Sequence, residues 1–513
     1  MSSTATADAA VSAPDASQQS FLQQAMLLLT VTFVTMLYAM TVTIANVSLP
    51  QMQGSLSSTP DQIAWIVTFN IVATAAVTPI AGWLAARFGR RRLMIWSIIG
   101  FGVSTVLCGL ATSVPELVIY RIFQGGFGAP LVPLSQAIVL ESFHERIRSR
   151  VMSIWGTGVI MGPIIAPAIG GALSEAYSWR YVFFMLVPFT VVALIGVMAF
   201  IKRRDSAEEK PQLDWLGFGA LVVMITGMQL MLDRGERAAW FSSFEIMIYA
   251  GFALAGLWVF IVRNFQSDKP FVNPVLLGDR NFVVGLILIF IFGMLNFTPI
   301  TLLPTLLQQI QGYPDSIIGQ ILSARGAGTF VGFFLMVFMG KVDQRIPITA
   351  GLVLQAWSGW VMAGFDVTVS TSDVLWASAI QGFGVGLFWV PLTIVTFATL
   401  DKPLVPDGTA IFHLLRNMGS SIFISISIAL VIRQGKTSYA EMMPHISPFA
   451  ESIRMPGMQN LPDLDEAGGL ARIGQEAARQ ATMIGYIDGF LLFAATAALA
   501  IPLVALVKVP KAA

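Results

Sequence analysis

Long stretches without a single charge constrain this chain more than any other feature. Leu93–Thr112 and Tyr181–Ile201 are two such runs. At a rise of about 1.5 Å per residue, roughly 20 apolar residues in a helix cross the ~30 Å hydrocarbon core of a bilayer. Composition agrees: 55% of the 513 residues are hydrophobic and 12% are charged, where soluble domains carry about 25% charge. The mean hydropathy is +0.74. Too little charge is present for soluble surfaces or for a disordered chain. The runs are also far longer than the alternating segments of about 10 residues that build a membrane barrel. The expected fold is an all-α polytopic membrane protein.

Fourteen spans are expected, at about 22–46, 62–86, 93–112, 116–140, 150–173, 180–201, 215–232, 244–263, 281–309, 317–340, 347–366, 373–399, 407–432 and 482–507. Basic residues set their direction, because short cytoplasmic loops collect Lys and Arg. With the N-terminus inside, the short inner loops hold seventeen basic residues, among them Arg87, Arg90, Arg91, Arg92, Arg146 and Arg148, against three outside: Arg180, Arg234 and Arg237. Both termini are expected in the cytoplasm. Residues 1–20 contain no Lys or Arg, lack the basic start of a signal peptide and read as a disordered tail. One outer connection, about 433–481, is long and polar, with an amphipathic stretch at Leu470–Arg479. It reads as a solvated loop or as a docking surface for an extracytoplasmic partner.

The chain also repeats itself. Gly82-Trp-Leu-Ala-Ala-Arg87 after the second span recurs as Gly340-Lys-Val-Asp-Gln-Arg345 after the tenth, an offset of 258 residues. Gln124-Gly125 recurs as Gln381-Gly382, an offset of 257, and each is followed by Val-Pro-Leu. Two parallel six-helix halves are therefore expected, 21–204 and 271–513, with two further helices inserted at 205–270. Paired halves around a midplane site are the build of a secondary transporter.

Three motifs carry chemistry or mechanics. Gly82-Trp-Leu-Ala-Ala-Arg-Phe-Gly-Arg-Arg-Arg92 places Gly82 and Gly89 around a tight inner turn with Arg87 between them. Arg121-Ile-Phe-Gln-Gly-Gly-Phe-Gly128 puts a guanidinium inside a span, at a cost of at least ~2.5–3.5 kcal/mol unless it faces a wet cavity or reaches the surface. In the fifth span, Gly158, Gly162, Gly170 and Gly171 allow close helix approach, while Pro163 and Pro167 bend the helix. Together with Thr43-Ile-Ala-Asn-Val-Ser-Leu-Pro50, Trp179-Arg-Tyr-Val-Phe-Phe184 and Leu232-Asp-Arg-Gly235, these segments resemble the 14-helix drug:proton antiporter branch of the major facilitator superfamily, and within it the EmrB-like pumps. The resemblance covers about 22–507. It implies the major facilitator fold, an inner-membrane exporter of small amphipathic substrates exchanging against protons, and a periplasmic adaptor with an outer-membrane channel as partners. It further implies that Arg121 tunes a proton site and that the glycine–proline motif of the fifth span forms an interface between the halves. Two positions depart from the pattern: Ala86 stands where many members carry Asp, and Thr41 stands where the branch carries its first-span aspartate.

Threonine does not titrate, so coupling needs another group. Asp488 is the one acid well inside an apolar run, and Glu141 at the inner end of the fourth span is a second candidate. Arg325 and Arg416 lie about two turns inside their helices, where they could partner Asp488, pair across helices or hold an anionic group on the substrate. His413 is the one histidine in a span, a packing residue or part of a proton route. Tyr38, Thr41, Gln124, Trp389 and Arg416 are the candidate cavity residues.

Other classes fit poorly. Three scattered histidines and the lone Cys108 supply neither clustered metal ligands nor a nucleophile–base pair, so no enzyme, metal or cofactor is expected. The chain has no Gly-x4-Gly-Lys-Ser/Thr motif for an ATP-driven pump. Its net charge of +1 gives no reason to expect nucleic acid. The expected function is export of amphipathic drugs or toxic metabolites by proton antiport with alternating access. The alternatives are a dedicated exporter of one compound, such as a siderophore, fatty acid or antibiotic, and a uniporter-like facilitator.

Overall fold

The computed structural model describes residues 21–201, 213–267, 270–313, 315–339, 342–445 and 467–508. The expected N-terminal tail, 1–20, and the middle of the long connection, 446–466, lie outside the described residues. Every regular element described is helical. The long helices are α1 (Phe21–Val47), α2 (Trp65–Phe88), α3 (Arg90–Leu110), α4 (Val114–Ser142), α5 (Glu145–Ala176), α6 (Arg180–Phe200), α7 (Trp215–Arg234), α8 (Phe244–Gln266), α9 (Arg280–Gln311), α10 (Asp315–Phe338), α11 (Arg345–Ala363), α12 (Thr371–Phe397), α13 (Val405–Met442) and α14 (Ala467–Ala500). Among the described residues thirteen are long and apolar enough to cross a membrane. The remaining one, α5, is 32 residues long and covers the expected fifth span.

Side chains at the helix starts explain several boundaries. Asp279 accepts from Phe282 N at 2.8 Å to open α9, and Ser370 from Asp373 N at 3.3 Å to open α12. Thr59 and Gln62 form a capping box ahead of α2. Prolines interrupt the interiors: α2 tightens into a 3-10 turn at Thr78–Ile80, and α9 carries Pro299 and Pro304.

Packing repeats with a shift of eight helices. α1 packs on α5 and α6, α2 on α4, and α3 on α4 and α6. In the second half α9 packs on α13 and α14, α10 on α12, and α11 on α12 and α14. Two seams join the halves, α5 on α10 and α2 on α13, and the same shift interchanges them.

The seams meet at the arginine-rich end. Ser149 Oγ of α5 donates to Met336 O of α10 at 3.0 Å. On the other seam the first turn of α13 sits on Gly82: a β-carbon there would lie 2.8 Å from Asp407 Cα. Gly89, at φ 84°, makes the left-handed turn into α3. At the opposite end α7, with α8 packed on it, touches both halves. Asp233 accepts from Thr68 of α2, and the Arg234 guanidinium lies 4.6 Å from the Trp65 ring. Ser425 Oγ of α13 donates to Leu232 O at 2.8 Å, and Arg433 lies 3.8 Å from Glu236.

Two expectations change. The described residues of the connection expected at 433–481 are helical: α13 continues to Met442 and α14 begins at Ala467. The two stay paired there, with Gly435 against Ala481 and Thr482. Polar composition had marked the segment as outside the membrane, but helices supported by each other persist beyond the bilayer. The glycine stripe of α5 is also placed differently. β-carbons at Gly158 and Gly162 would come within 2.7 Å of Thr32 O and Met36 O, and Gly170 faces Ile44, so these three glycines seat α5 on α1 of its own half. Residues four apart share one helix face, and that face meets α1. Gly156, on another face, meets Phe333 of α10 across the seam. Pro163, Pro167 and Gly171 lie in the same helix.

Candidate functional site

A polar cluster lies deep among the helices of both halves. Arg121 is 1% exposed, with no acidic partner among the described residues. Its Nη1 donates to Gln124 Oε1 at 2.6 Å and its Nε to Ile66 O at 3.4 Å. Gln124 Nε2 in turn donates to Thr105 Oγ1 at 2.8 Å. α2 is pressed against this point: Asn70 Nδ2 donates to Arg121 O at 2.8 Å, and a β-carbon on Gly125 would lie 2.4 Å from Asn70 O.

The second half repeats the device with the charge on a different helix. Arg325 of α10 is 9% exposed; its Nε donates to Gln381 Oε1 at 2.6 Å and its Nη2 to Asn296 Oδ1 at 2.7 Å. Gln381 Nε2 donates to Gln355 Oε1 at 3.0 Å. A β-carbon on Gly382 would lie 1.9 Å from Arg325 O. The repeated Gln-Gly pair thus has a physical meaning: the glutamine accepts from a buried guanidinium, and the glycine admits the crossing helix.

Arg416 of α13 differs from both. It is half-buried, and its hydrogen-bond acceptor is Asn417 Oδ1, 3.0 Å from Nη2 and 3.3 Å from Nε. Its guanidinium lies 5.6 Å from the centre of the Trp389 ring. Tyr38, from α1 of the other half, lies where the charges of Arg416 and Arg121 both reach its hydroxyl. That hydroxyl donates to Thr74 Oγ1 at 3.1 Å. One turn below Arg416, His413 Nε2 bonds Gln136 Oε1 of α4 across the seam.

The structure thus brings together Tyr38, Arg416 and Trp389, with Arg121 and Gln124 beside them. Thr41 is buried and donates to Leu37 O of its own helix at 3.2 Å. Asp488 is half-buried and makes no hydrogen bond or ion pair with any of the three arginines, whose acceptors are those just named. Glu141 is ion-paired with Arg90, its side chain 5% exposed, a partner that its place at a span end did not reveal. Arg87 stacks at 6.0 Å over Trp83, and Ala86 points outward. An acid is set against this segment by another helix, Asp407 of α13 lying on Gly82, a residue that sequence reasoning missed. A carboxylate in the first turn of a long helix was its one signal.

Comparisons with known proteins were made against this geometry. A family model described as Major Facilitator Superfamily matches residues 31–424. The multidrug export protein EmrB of Escherichia coli K12 is 32% identical over 409 residues, 79% of this chain and 80% of that protein. The fatty acid resistance protein FarB of Neisseria gonorrhoeae is 30% identical over 472 residues, 91% of this chain and 93% of that protein. Among solved structures, a double-tryptophan mutant of XylE superposes with a TM-score of 0.61 at 12% identity, covering 94% of this chain and 95% of that one. At that identity it speaks for the fold alone.

Proposed function

This chain belongs to the Major Facilitator Superfamily, and from that premise we propose that it exports amphipathic drugs or toxic metabolites by alternating access. The arginine-rich end faces the cytoplasm in this reading, as the bias of basic residues requires. The observation that carries it is the pair of seams closed at that end, Ser149 on Met336 and Gly82 under Asp407, below a polar cluster shared by both halves. Export needs such a cluster to open first to one side and then to the other. The name of EmrB supports a range of substrates, and that of FarB supports the narrower reading of a dedicated exporter.

Protons supply the driving force in this proposal. Asp488, unpaired and within a span, carries them; Glu141, tied to Arg90, holds the inner end together instead. The domain division proposed is 21–204 and 271–513 as moving halves, with 205–270 inserted. The paired ends of α13 and α14 beyond the spans offer a surface to a periplasmic adaptor, through which an outer-membrane channel would be reached.

The test is uptake of a fluorescent amphiphile into inverted vesicles under an imposed pH gradient. Uptake is expected to collapse with an uncoupler and in Asp488→Asn. Gradient-driven uptake that survives the substitution removes Asp488 as the carrier, and uptake indifferent to the gradient removes proton antiport.

A further inference from the structure

One bond between the closed halves depends on a titratable ring. His413 of α13 is 1% exposed, and Gln136 of α4 is fully buried. An amide oxygen only accepts, so His413 Nε2 donates to Gln136 Oε1. The other ring nitrogen, Nδ1, has no hydrogen-bond partner among the described residues, and neither has Gln136 Nε2. Aromatic rings enclose the imidazole: Phe412 and Trp389 lie 5.7 and 6.2 Å from it, centre to centre.

A proton added at Nδ1 would create a cation with no acceptor and no counter-charge. Arg416, one turn on in α13, is itself a cation. Asp407 lies six residues before His413, about 9 Å toward the inner end, and Glu141 of α4 is paired with Arg90. The turn of α14 that carries Asp488 packs on Val431, eighteen residues and about 27 Å along α13. The Tyr38 hydroxyl of α1 is bonded to Thr74. No ionisable side chain lies in 65–86 of α2, 215–232 of α7, 281–311 of α9 or 374–397 of α12. A buried cation without an anion is strongly disfavoured, so the halves shut only around a neutral imidazole. Once α4 and α13 part toward the cytoplasm, water reaches the ring, and it titrates as an ordinary imidazole does, at about pH 6.5.

We propose that His413 is a proton site that reports cytoplasmic acidity: a proton bound to the opened ring keeps the inner end from closing. The site rests on the alternating-access reading and is separate from the proton carried by Asp488. Closing releases the proton, so the closed state gains as pH rises and is lost as pH falls through the range of the open ring. Export then slows when proton entry has acidified the cell interior.

Spin labels on cysteines replacing Ala86 of α2 and Ile346 of α11 read the closure, since both positions are exposed and lie on opposite halves. The native Cys108 is buried. Their separation is measured by pulsed electron paramagnetic resonance on the full-length protein in nanodiscs of zwitterionic lipid. From about pH 7.5 to 5.5 the ratio of short to long distances is expected to fall about tenfold. His413→Gln, which keeps a donor for Gln136 and cannot titrate, should hold the ratio constant. Gln136→Glu, which gives an imidazolium its counter-charge, should keep the halves closed at the acid end. Two distances in proportions that ignore pH overturn the site and leave alternating access standing. A response that survives His413→Gln belongs to another group, such as Asp407, and overturns it too, as does acid opening that survives Gln136→Glu. A single distance at every pH, with no uptake in the vesicle assay, removes alternating access and the site with it.

Discussion

Gln124 and Gln381 show how a buried charge is tolerated without a counter-charge. Each presents its carbonyl oxygen to a guanidinium at 2.6 Å and fixes its amide nitrogen elsewhere, on Thr105 Oγ1 and on Gln355 Oε1. Removing such an acceptor leaves a desolvated donor, a loss of about 1–3 kcal/mol. Gln381→Leu should therefore lower the thermal unfolding midpoint of the purified protein markedly, whereas Gln381→Glu, which keeps an acceptor, should hold it. An unchanged midpoint in the leucine variant would mean that Asn296 alone suffices. At this scale the sequence was partly legible. The recurrence of Gln-Gly marked both positions, and the rarity of charge in a span marked Arg121, Arg325 and Arg416. What each arginine touches was not legible, because its partners come from helices distant in the chain. Asp407 is the clearest case, since only the folded bundle sets it against Gly82.

The helix scale explains why small residues were readable and their partners were not. Spacing alone put Gly158, Gly162 and Gly170 on one face of α5, but spacing is silent on which neighbour that face meets. The neighbour is α1, so a side chain at Gly162 would be driven into the backbone near Met36 and Met40. Gly162→Val is expected to destabilise by about 1–3 kcal/mol through overpacking. Gly219→Ala on α7, where nothing lies within 4 Å, should be neutral in the same melting experiment. If the two variants melt alike, α5 and α1 are not packed as described. The extensions of α13 and α14 were misread as loop for a related reason. Hydropathy reports the membrane boundary, and a paired helix does not have to stop there.

Across the whole molecule, the repeat in the sequence and the repeat in the packing agree, which is why the architecture was the most legible feature. Two six-helix bundles could be counted from apolar runs, and the seams follow from the same symmetry. Closure of the arginine-rich end could not be read, since one sequence must serve every state of the cycle. It can be tested directly. Cysteines replacing Ser149 and Met336 sit where a 3.0 Å hydrogen bond now joins α5 to α10, and the native Cys108 is buried away from solvent. Their oxidation should form a crosslink that abolishes dye uptake into inverted vesicles, with activity restored by reductant. A crosslinked protein that transports at the normal rate would show that this seam never opens.

The inserted pair α7–α8 gives that cycle an asymmetry. One end of the bundle shuts by direct contact between the halves, while at the other the last turn of α7 holds Thr68 of α2 and Ser425 of α13 at once. Wide separation of α2 from α13 at that end has to break one of these attachments, so the hairpin works as a spring whose stiffness sets how far the exit can gape. A binder that reinforced it from outside would slow export without entering the substrate site, and raising the substrate concentration would not relieve the inhibition.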